Sequence, residues 1–561
     1  MVTTDKEACK ILLDVMVAHG VRHAVVSPGS RNAPLIIALS RCERIRKFVI
    51  VDERSAAFAA LGISQQTGEP VALVCTSGTA LLNYAPAVAE AYYQKLPLIV
   101  VSADRPKEWI DQDDSQTIRQ FEALSRFVKK SYDLPARCSD DTSRWYVNRI
   151  TNDAMMEATS GRCAPVHINV ELDEPLQGTC SYGNMATRII KMQMPSPSLP
   201  DSVVGELVEK AKGKKIMVIA GVNVPDKNLE DALSRLAKLP NAIVLTETIS
   251  NLTDGSFVRA IDRTLLAMPL GKEGEYKPDL LITVGGAIVS RMVKTFLRNN
   301  KVAEHWYVGV ADTTVDCMKS LTLRINTSPA VFISQFVDAY ERLDDRSNSD
   351  FSRMWHLLSE SGKSWHADYL KNLEWSDMLA FSMIFSSLPA NCRLQLSNGT
   401  TIRYAQLFGD NFCNANFCNR GVSGIDGSTS TALGASLVCE DATMLITGDM
   451  SFSYDLSGLA SQYNSPKLKI IVIDNGGGGI FRFISSTSGL PELEQYFAVE
   501  RDLPIKKYAE AFGFGFFSAG SEKELQKALP AFFAYKEKAA ILVVKTDKQR
   551  SAKILKNYFN R

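Results

Sequence analysis

Residues Ile470–Phe481 read IIVIDNGGGGIF. Four β-branched residues in a row favour a strand, and a short apolar run closed by turn residues is a strand covered on both faces. Asp474, Asn475 and the glycines Gly476 to Gly479 then make a loop whose backbone can approach a ligand closely. The stretch before it, ITGDMSFSYDL from Ile446 to Leu456, repeats the plan with Asp449 at the turn. Ligand sites in open α/β sheets lie at such carboxyl ends of strands.

Working outward, Val/Ile/Leu runs of this kind recur between longer amphipathic stretches, which predicts an α/β chain with mainly parallel sheets. In the first third the predicted strands are Ala24–Val26, Phe48–Val51, Val71–Cys75, Leu98–Ser102 and Val166–Val170. They form one doubly wound sheet. The polar stretch Met192–Ser202 (MQMPSPSLPDS) is aperiodic and rich in helix breakers, so it reads as a linker. A second, Rossmann-like unit follows with strands at Ile216–Ala220, Ala242–Leu245, Leu280–Val284 and Trp306–Val310. After a second linker at Asp344–Asp350, a third unit has strands near Leu394–Leu396, Met444–Thr447, Ile470–Ile473 and Ile541–Val544. The plan is three consecutive doubly wound domains, at 1–185, 200–343 and 355–561.

The 561 residues carry 63 Lys and Arg against 62 Asp and Glu, so no global field draws the chain to nucleic acid or anionic lipid. Selectivity for acidic ligands must be local. No charge-free run near 20 residues appears, and the first residues mix charge with apolar side chains, which argues against export and membrane insertion. The 11 cysteines lack a Cys-x-x-Cys pair or a regular framework and read as reduced thiols.

Asp449 and Asn475 each follow an apolar strand, so their side-chain oxygens can converge on a hard cation with a backbone carbonyl nearby. Magnesium carrying a diphosphate suits that set, although a Gly-rich loop often does no more than turn the chain. In the first domain FVIVDERSAAFAALG, Phe48–Gly62, puts Glu53 at the passage from strand to Ala-rich helix. Taken alone, such a residue is more often a solvated helix-start carboxylate complementing the dipole, and it is the third-domain motif that favours a role for Glu53 in the chemistry.

The pair GD-x-S and, one βα unit later, N-G-G resembles the metal-binding motif of thiamine-diphosphate enzymes, with Met450 where the usual form has Gly. The resemblance implies that Asp449, Asn475 and the Gly477 carbonyl hold Mg2+ (or Mn2+), that Ser451 joins the cofactor contacts, and that Ile425 in SGIDG supports the bent cofactor. It also implies that Glu53 hydrogen-bonds the pyrimidine ring and so promotes loss of the thiazolium C2 proton. SPGSRNAPL (Ser27–Leu35), SGTALLNYAPAVAEAYYQKLPLIVVSADRP (from Ser77), SNGTTIR (from Ser397) and NRGVSGIDGSTSTALGAS (from Asn419) narrow the likeness. In order and spacing they resemble the 2-succinyl-5-enolpyruvyl-6-hydroxy-3-cyclohexene-1-carboxylate synthases of menaquinone biosynthesis. The three domains are then pyrimidine-binding, central and diphosphate-binding.

That family's reaction joins 2-oxoglutarate, after loss of CO2, to isochorismate. Both substrates are dicarboxylates, and guanidinium groups match carboxylates bidentately. Arg31, Arg105, Arg403 and Arg420 all sit in the signature loops. The resemblance implies that Arg403 and Arg420 face the 2-oxoglutarate carboxylate while Ser30, Arg31, Arg105 and Gln116 face isochorismate. Arg291 matches a basic position, and Phe481 is expected to line the pocket, although an aromatic after a strand is more often core; Met292 and Gly399 depart from the residues some members carry. None of the six histidines lies in a motif, so all read as structural. Two other readings stay open: another thiamine-dependent 2-oxoacid decarboxylase or acetolactate-synthase-like ligase, and a non-catalytic Rossmann-like metabolite-binding protein. The resemblance further implies a cytoplasmic homodimer or dimer of dimers with active sites at subunit interfaces.

Overall fold

A computed structural model describes residues 2–181, 187–195, 198–343, 349–409 and 413–560. Residues 196–197 of the first expected linker and 344–348 of the second lie outside the described residues. Three sheets carry the chain. The first runs Arg46–Val49, His23–Val26, Val71–Cys75, Leu98–Asp104, Val166–Glu171, Ser131–Leu134 in spatial order, with neighbours parallel. The second runs Ala242–Thr246, Ile216–Ala220, Leu280–Val284, Glu304–Val308, Leu323–Ile325, again parallel. The third runs Ala415–Cys418, Cys392–Leu396, Ala442–Gly448, Leu468–Asp474, Ala540–Lys545, Gly515–Ala519. The expected α/β class with three doubly wound sheets is what the chain adopts.

Every interior strand was legible as an apolar run. The four strands missing from the sequence reading, Ser131–Leu134, Leu323–Ile325, Ala415–Cys418 and Gly515–Ala519, each close one edge of a sheet. An edge strand has one neighbour and one partly open side, so it does not need the continuous apolar run that a central strand needs. A further short antiparallel pair, Val2–Thr4 with Thr179–Ser181, was also unread.

The chain packs as two units: Met1–Met194 with Asn419–Thr443 and Ser451–Leu468, and Pro195–Cys418 with Met444–Met450 and Lys469–Arg561. In the first unit the helix Glu53–Thr67 is buried from Ser55 to Gln65, polar residues included. It is covered by its own sheet and by the helix Ser428–Val438, which is itself buried from Ser428 to Ser436. The second unit holds the other two parallel sheets, with Trp306 and Trp355 completely buried. Among the described residues no helix is long and apolar enough to cross a membrane.

The expectation of separate reduced thiols is corrected at one pair. Cys392 and Cys413 form a disulfide with Cα atoms 5.1 Å apart, while the other nine cysteines are free. The two residues are 21 positions apart and share no motif, and it is the pairing of Cys392–Leu396 with Ala415–Cys418 that brings them together.

Candidate active site

In the first unit, Glu53 opens its helix rather than ending a strand: the strand stops at Val49, Val51 is exposed, and Asp52 caps the helix by accepting the Ser55 N–H at 3.0 Å. The half-buried Glu53 borders a cavity of about 270 Å³ lined also by Thr76, Ser77, Gly78, Gln116 and Ile118. Glu53 and Gln116 therefore share one pocket although 63 positions separate them in the chain.

Arg31 is 6% exposed, donates to the Leu172 carbonyl at 3.1 Å and pairs with Glu174 at 3.3 Å. Burial lowers its pKa, and the positive charge of Arg105 lowers it further. The carboxylates of Glu174, Asp114 and Asp104 oppose that lowering. Arg105 itself pairs with Asp114 at 2.6 Å and donates to the Ser115 carbonyl at 3.1 Å, which shapes the loop leading to Gln116. Gln120, unread in the sequence, fastens that loop from below. Its carbonyl accepts the Gly78 N–H at 2.6 Å, and its amide donates to Ala103 and Asn169 at 3.0 Å each. Ser30 is exposed beside Arg31.

The loop bearing Arg420 and Ile425 lies in the same unit. Buried Glu90 takes the N–H groups of both Gly421 and Val422 at 2.6 Å, and Ser451 donates its hydroxyl to the Ile425 carbonyl at 2.6 Å. A carboxylate accepting two successive amides fixes the backbone of that loop. Nothing in the sequence around Glu90 advertises this, because its partners are 331 and 332 residues away.

In the second unit Asp449 begins the helix after Ala442–Gly448, and Asn475 follows Leu468–Asp474. Asp449 is 2% and Asn475 6% exposed. Each Asp449 oxygen accepts one backbone N–H at 2.6 Å, from Met450 and from Gly477. Burial pushes the Asp449 carboxyl up to about 7, with the Gly477 N–H opposing the rise and Asp474 adding to it. Asn475 donates Nδ2–H to Asp377 at 2.8 Å, which leaves its Oδ1 for another partner. The Gly477 carbonyl accepts the Gly479 N–H at 2.8 Å and keeps a second lone pair. At Gly477, φ is +110° and a Cβ would stand 2.2 Å from the Ala498 carbonyl, so only glycine fits.

One carboxylate, one amide oxygen and one carbonyl are hard donors, and they fit a small divalent cation that takes its remaining ligands from a diphosphate and water. Among the described residues no three His, Cys, Asp or Glu side chains gather as an alternative metal group. The sequence reading missed Arg482, which is 3% exposed beneath the loop. It donates to the carbonyls of Gly476 at 2.9 Å and Asn475 at 3.4 Å, and it pairs with Glu494 at 2.7 Å.

Arg403, half-buried in the helix Thr400–Phe408, supplies charge to Asp262. Burial raises the Asp262 carboxyl above the usual carboxylate range, and a Ser290 hydrogen bond and the Arg403 charge oppose the rise. Arg291 is exposed at the start of the helix Arg291–Asn299, just beyond Val289 and Ser290, whose N–H groups Glu247 holds at 2.8 and 2.7 Å. Phe481 is half-buried and packs against Phe497 with ring centroids 5.8 Å apart. Gly399 has φ +91° at the helix start, a backbone conformation that serine adopts only with strain.

Residues 6–123 match the thiamine pyrophosphate enzyme N-terminal TPP binding domain, and residues 400–544 the C-terminal TPP binding domain of the same enzymes. A Porphyromonas gingivalis protein named 2-succinyl-5-enolpyruvyl-6-hydroxy-3-cyclohexene-1-carboxylate synthase is 41% identical over 99% of this chain and 97% of its own length. Synthases of the same name from Flavobacterium johnsoniae and Cytophaga hutchinsonii are 37% and 36% identical, over 98% and 97% of this chain and 97% of their own lengths. With such identity along nearly its whole length, the chain belongs to the 2-succinyl-5-enolpyruvyl-6-hydroxy-3-cyclohexene-1-carboxylate synthases, a family of thiamine pyrophosphate enzymes.

Proposed function

We propose that the protein decarboxylates 2-oxoglutarate and joins the four-carbon fragment to isochorismate, giving 2-succinyl-5-enolpyruvyl-6-hydroxy-3-cyclohexene-1-carboxylate and CO2 for menaquinone biosynthesis. The observation that carries the reading is that Asp449 Oδ2 accepts the Gly477 N–H at 2.6 Å, which sets Asp449 against the Asn475–Gly477 loop and supports a hard-oxygen donor set there. Thiamine diphosphate supplies the electron sink for carbon dioxide loss. Asp449, Asn475 and Gly477 hold its Mg2+ or Mn2+, Ser451 and Ile425 brace it, and Glu53 holds a proton at the pyrimidine ring.

Ser30, Arg31, Arg105 and Gln116 orient isochorismate. Arg403 and Arg420 neutralise the carboxylate of the first substrate, Arg291 adds a basic contact to substrate, and Phe481 excludes water. The four arginines of the signature loops, Arg31, Arg105, Arg403 and Arg420, support this reading over a decarboxylase of small apolar oxoacids, which has no carboxylates of that kind to clamp. Residues 1–185, 200–343 and 355–561 are assigned as pyrimidine-binding, central and diphosphate-binding domains. A cytoplasmic homodimer or dimer of dimers with active sites at subunit interfaces belongs to the same proposal; an active monomer in sedimentation would contradict it.

The deciding experiment follows CO2 release and isochorismate absorbance with purified protein, 2-oxoglutarate, thiamine diphosphate and Mg2+. Coupled consumption of both substrates is expected. Carbon dioxide release with isochorismate untouched would move the acceptor elsewhere.

A further inference from the structure

Asp377 lies in no motif, yet it is 2% exposed at the start of the helix Asp377–Ser387. Its Oδ2 accepts the Asn475 Nδ2–H at 2.8 Å, its Oδ1 accepts the Thr546 hydroxyl at 2.5 Å, and its own N–H donates to Ser551 Oγ at 3.0 Å. Thr546 follows the strand Ala540–Lys545, which pairs with the strand Leu468–Asp474 that delivers Asn475. The Thr546 N–H also donates to the Asp474 carbonyl at 3.1 Å. Two adjacent strand ends are thus tied through one buried carboxylate.

We infer that Asp377 is a positioning residue of the metal site, one that sets which end of the Asn475 amide faces the cation. This rests on the metal reading above. An asparagine side chain is nearly symmetric in shape, with an acceptor at one end and two donors at the other. Turned over, it would aim N–H groups at a cation. Because a carboxylate accepts and does not donate, Asp377 holds the Nδ2 end and turns Oδ1 away from itself. Thr546 holds the other carboxylate oxygen, so the carboxylate cannot swing aside and release the amide. Partners of this type behind a metal ligand are commonly worth about 10- to 100-fold in metal affinity.

The test measures Mn2+ affinity in the presence of thiamine diphosphate, from the electron paramagnetic resonance signal of free Mn2+. Asp377→Ala is expected to weaken binding by about 10-fold or more, and Asp377→Ala with Asn475→Ala no further than Asn475→Ala alone. Binding within about 2-fold of wild type, or losses that multiply in the double variant, overturns the inference. If Asp377→Ala does not fold by circular dichroism, Thr546→Val decides instead. It should weaken Mn2+ by about 3-fold, and not at all in the Asn475→Ala background, whereas unchanged affinity counts against the inference. Wild-type protein that binds no Mn2+ beside the cofactor would sink the metal reading itself, a result distinct from either.

Discussion

Gly62 lies against the carbonyl of Thr431, so close that a Cβ at Gly62 would stand 2.1 Å from the oxygen. The contact is reciprocal, since a Cβ at Gly434 would stand 2.0 Å from the Ala59 carbonyl. The helices Glu53–Thr67 and Ser428–Val438 therefore cross backbone to backbone. Neither backbone oxygen can rotate away as a side chain would.

Gly62→Ala and Gly434→Ala should each destabilise the protein by about 3 kcal/mol, the upper end for an overpacked core. Because either methyl group forces the same two helices apart, the double variant should cost less than the sum. Urea denaturation of the three variants checks both statements, and full additivity would argue that the glycines act separately.

Glu53→Gln keeps the shape at the helix start but removes the carboxyl. Turnover is expected to fall by at least about 100-fold, as for loss of a positioned proton-transfer group. Thiamine diphosphate binding, followed by tryptophan fluorescence, should change little. Turnover within about 3-fold of wild type would remove Glu53 from the chemistry.

Arg105→Ala leaves Arg31 as the remaining cation of its pair. The KM for isochorismate should rise about 10- to 100-fold, the range for losing a charge-assisted bond of ~1.5–3 kcal/mol. Carbon dioxide release from 2-oxoglutarate alone, measured in the same preparation, should stay near wild type. Equal losses in both assays would place Arg105 with the first substrate.

His167, His305 and His366 are 0%, 1% and 5% exposed, and burial lowers their pKa values from 6.5 to about 4, 4 and 3. His167 Nε2 lies 2.8 Å from Ser102 Oγ, and His366 Nδ1 lies 2.8 Å from the Tyr558 hydroxyl. With folded pKa values below the unfolded one, the unfolded chain takes up protons first. Stability is then fully present above pH 6.5 and falls as the pH drops toward 4.

His167, the one completely buried, contributes about 3 kcal/mol of this fall, at 1.36 kcal/mol for each pKa unit. Glu247 works in the opposite sense: burial pushes it up to about 7, so its contribution is present below 4.5 and is lost as the pH rises through 7. Comparing wild type with His167→Gln isolates one histidine. The stability difference between pH 4 and 6.5 should shrink in the variant, and an unchanged profile would show that His167 titrates normally.

Much of this protein is written locally. A strand buried on both faces needs a continuous apolar run, so the interior strands, and with them the positions of Asp449 and Asn475 at strand ends, were determined by the sequence itself. The glycine loop after Asn475 was legible too, but that position 477 admits only glycine follows from its approach to Ala498, which the fold decides. Edge strands such as Gly515–Ala519 were not legible, since one open side relaxes the demand for apolar residues.

What only the tertiary structure decided is which polar groups meet. Asp377 and Asn475 are 98 residues apart, and Glu90 and Gly421 331, and each pair is joined by helix and strand packing that no local pattern encodes. The same holds for Arg482 under its loop, for Cys392 beside Cys413, and for the Gly62 and Gly434 crossing. A hydrogen bond depends on positions within tenths of an ångström, whereas hydrophobic periodicity specifies only which face of an element is buried.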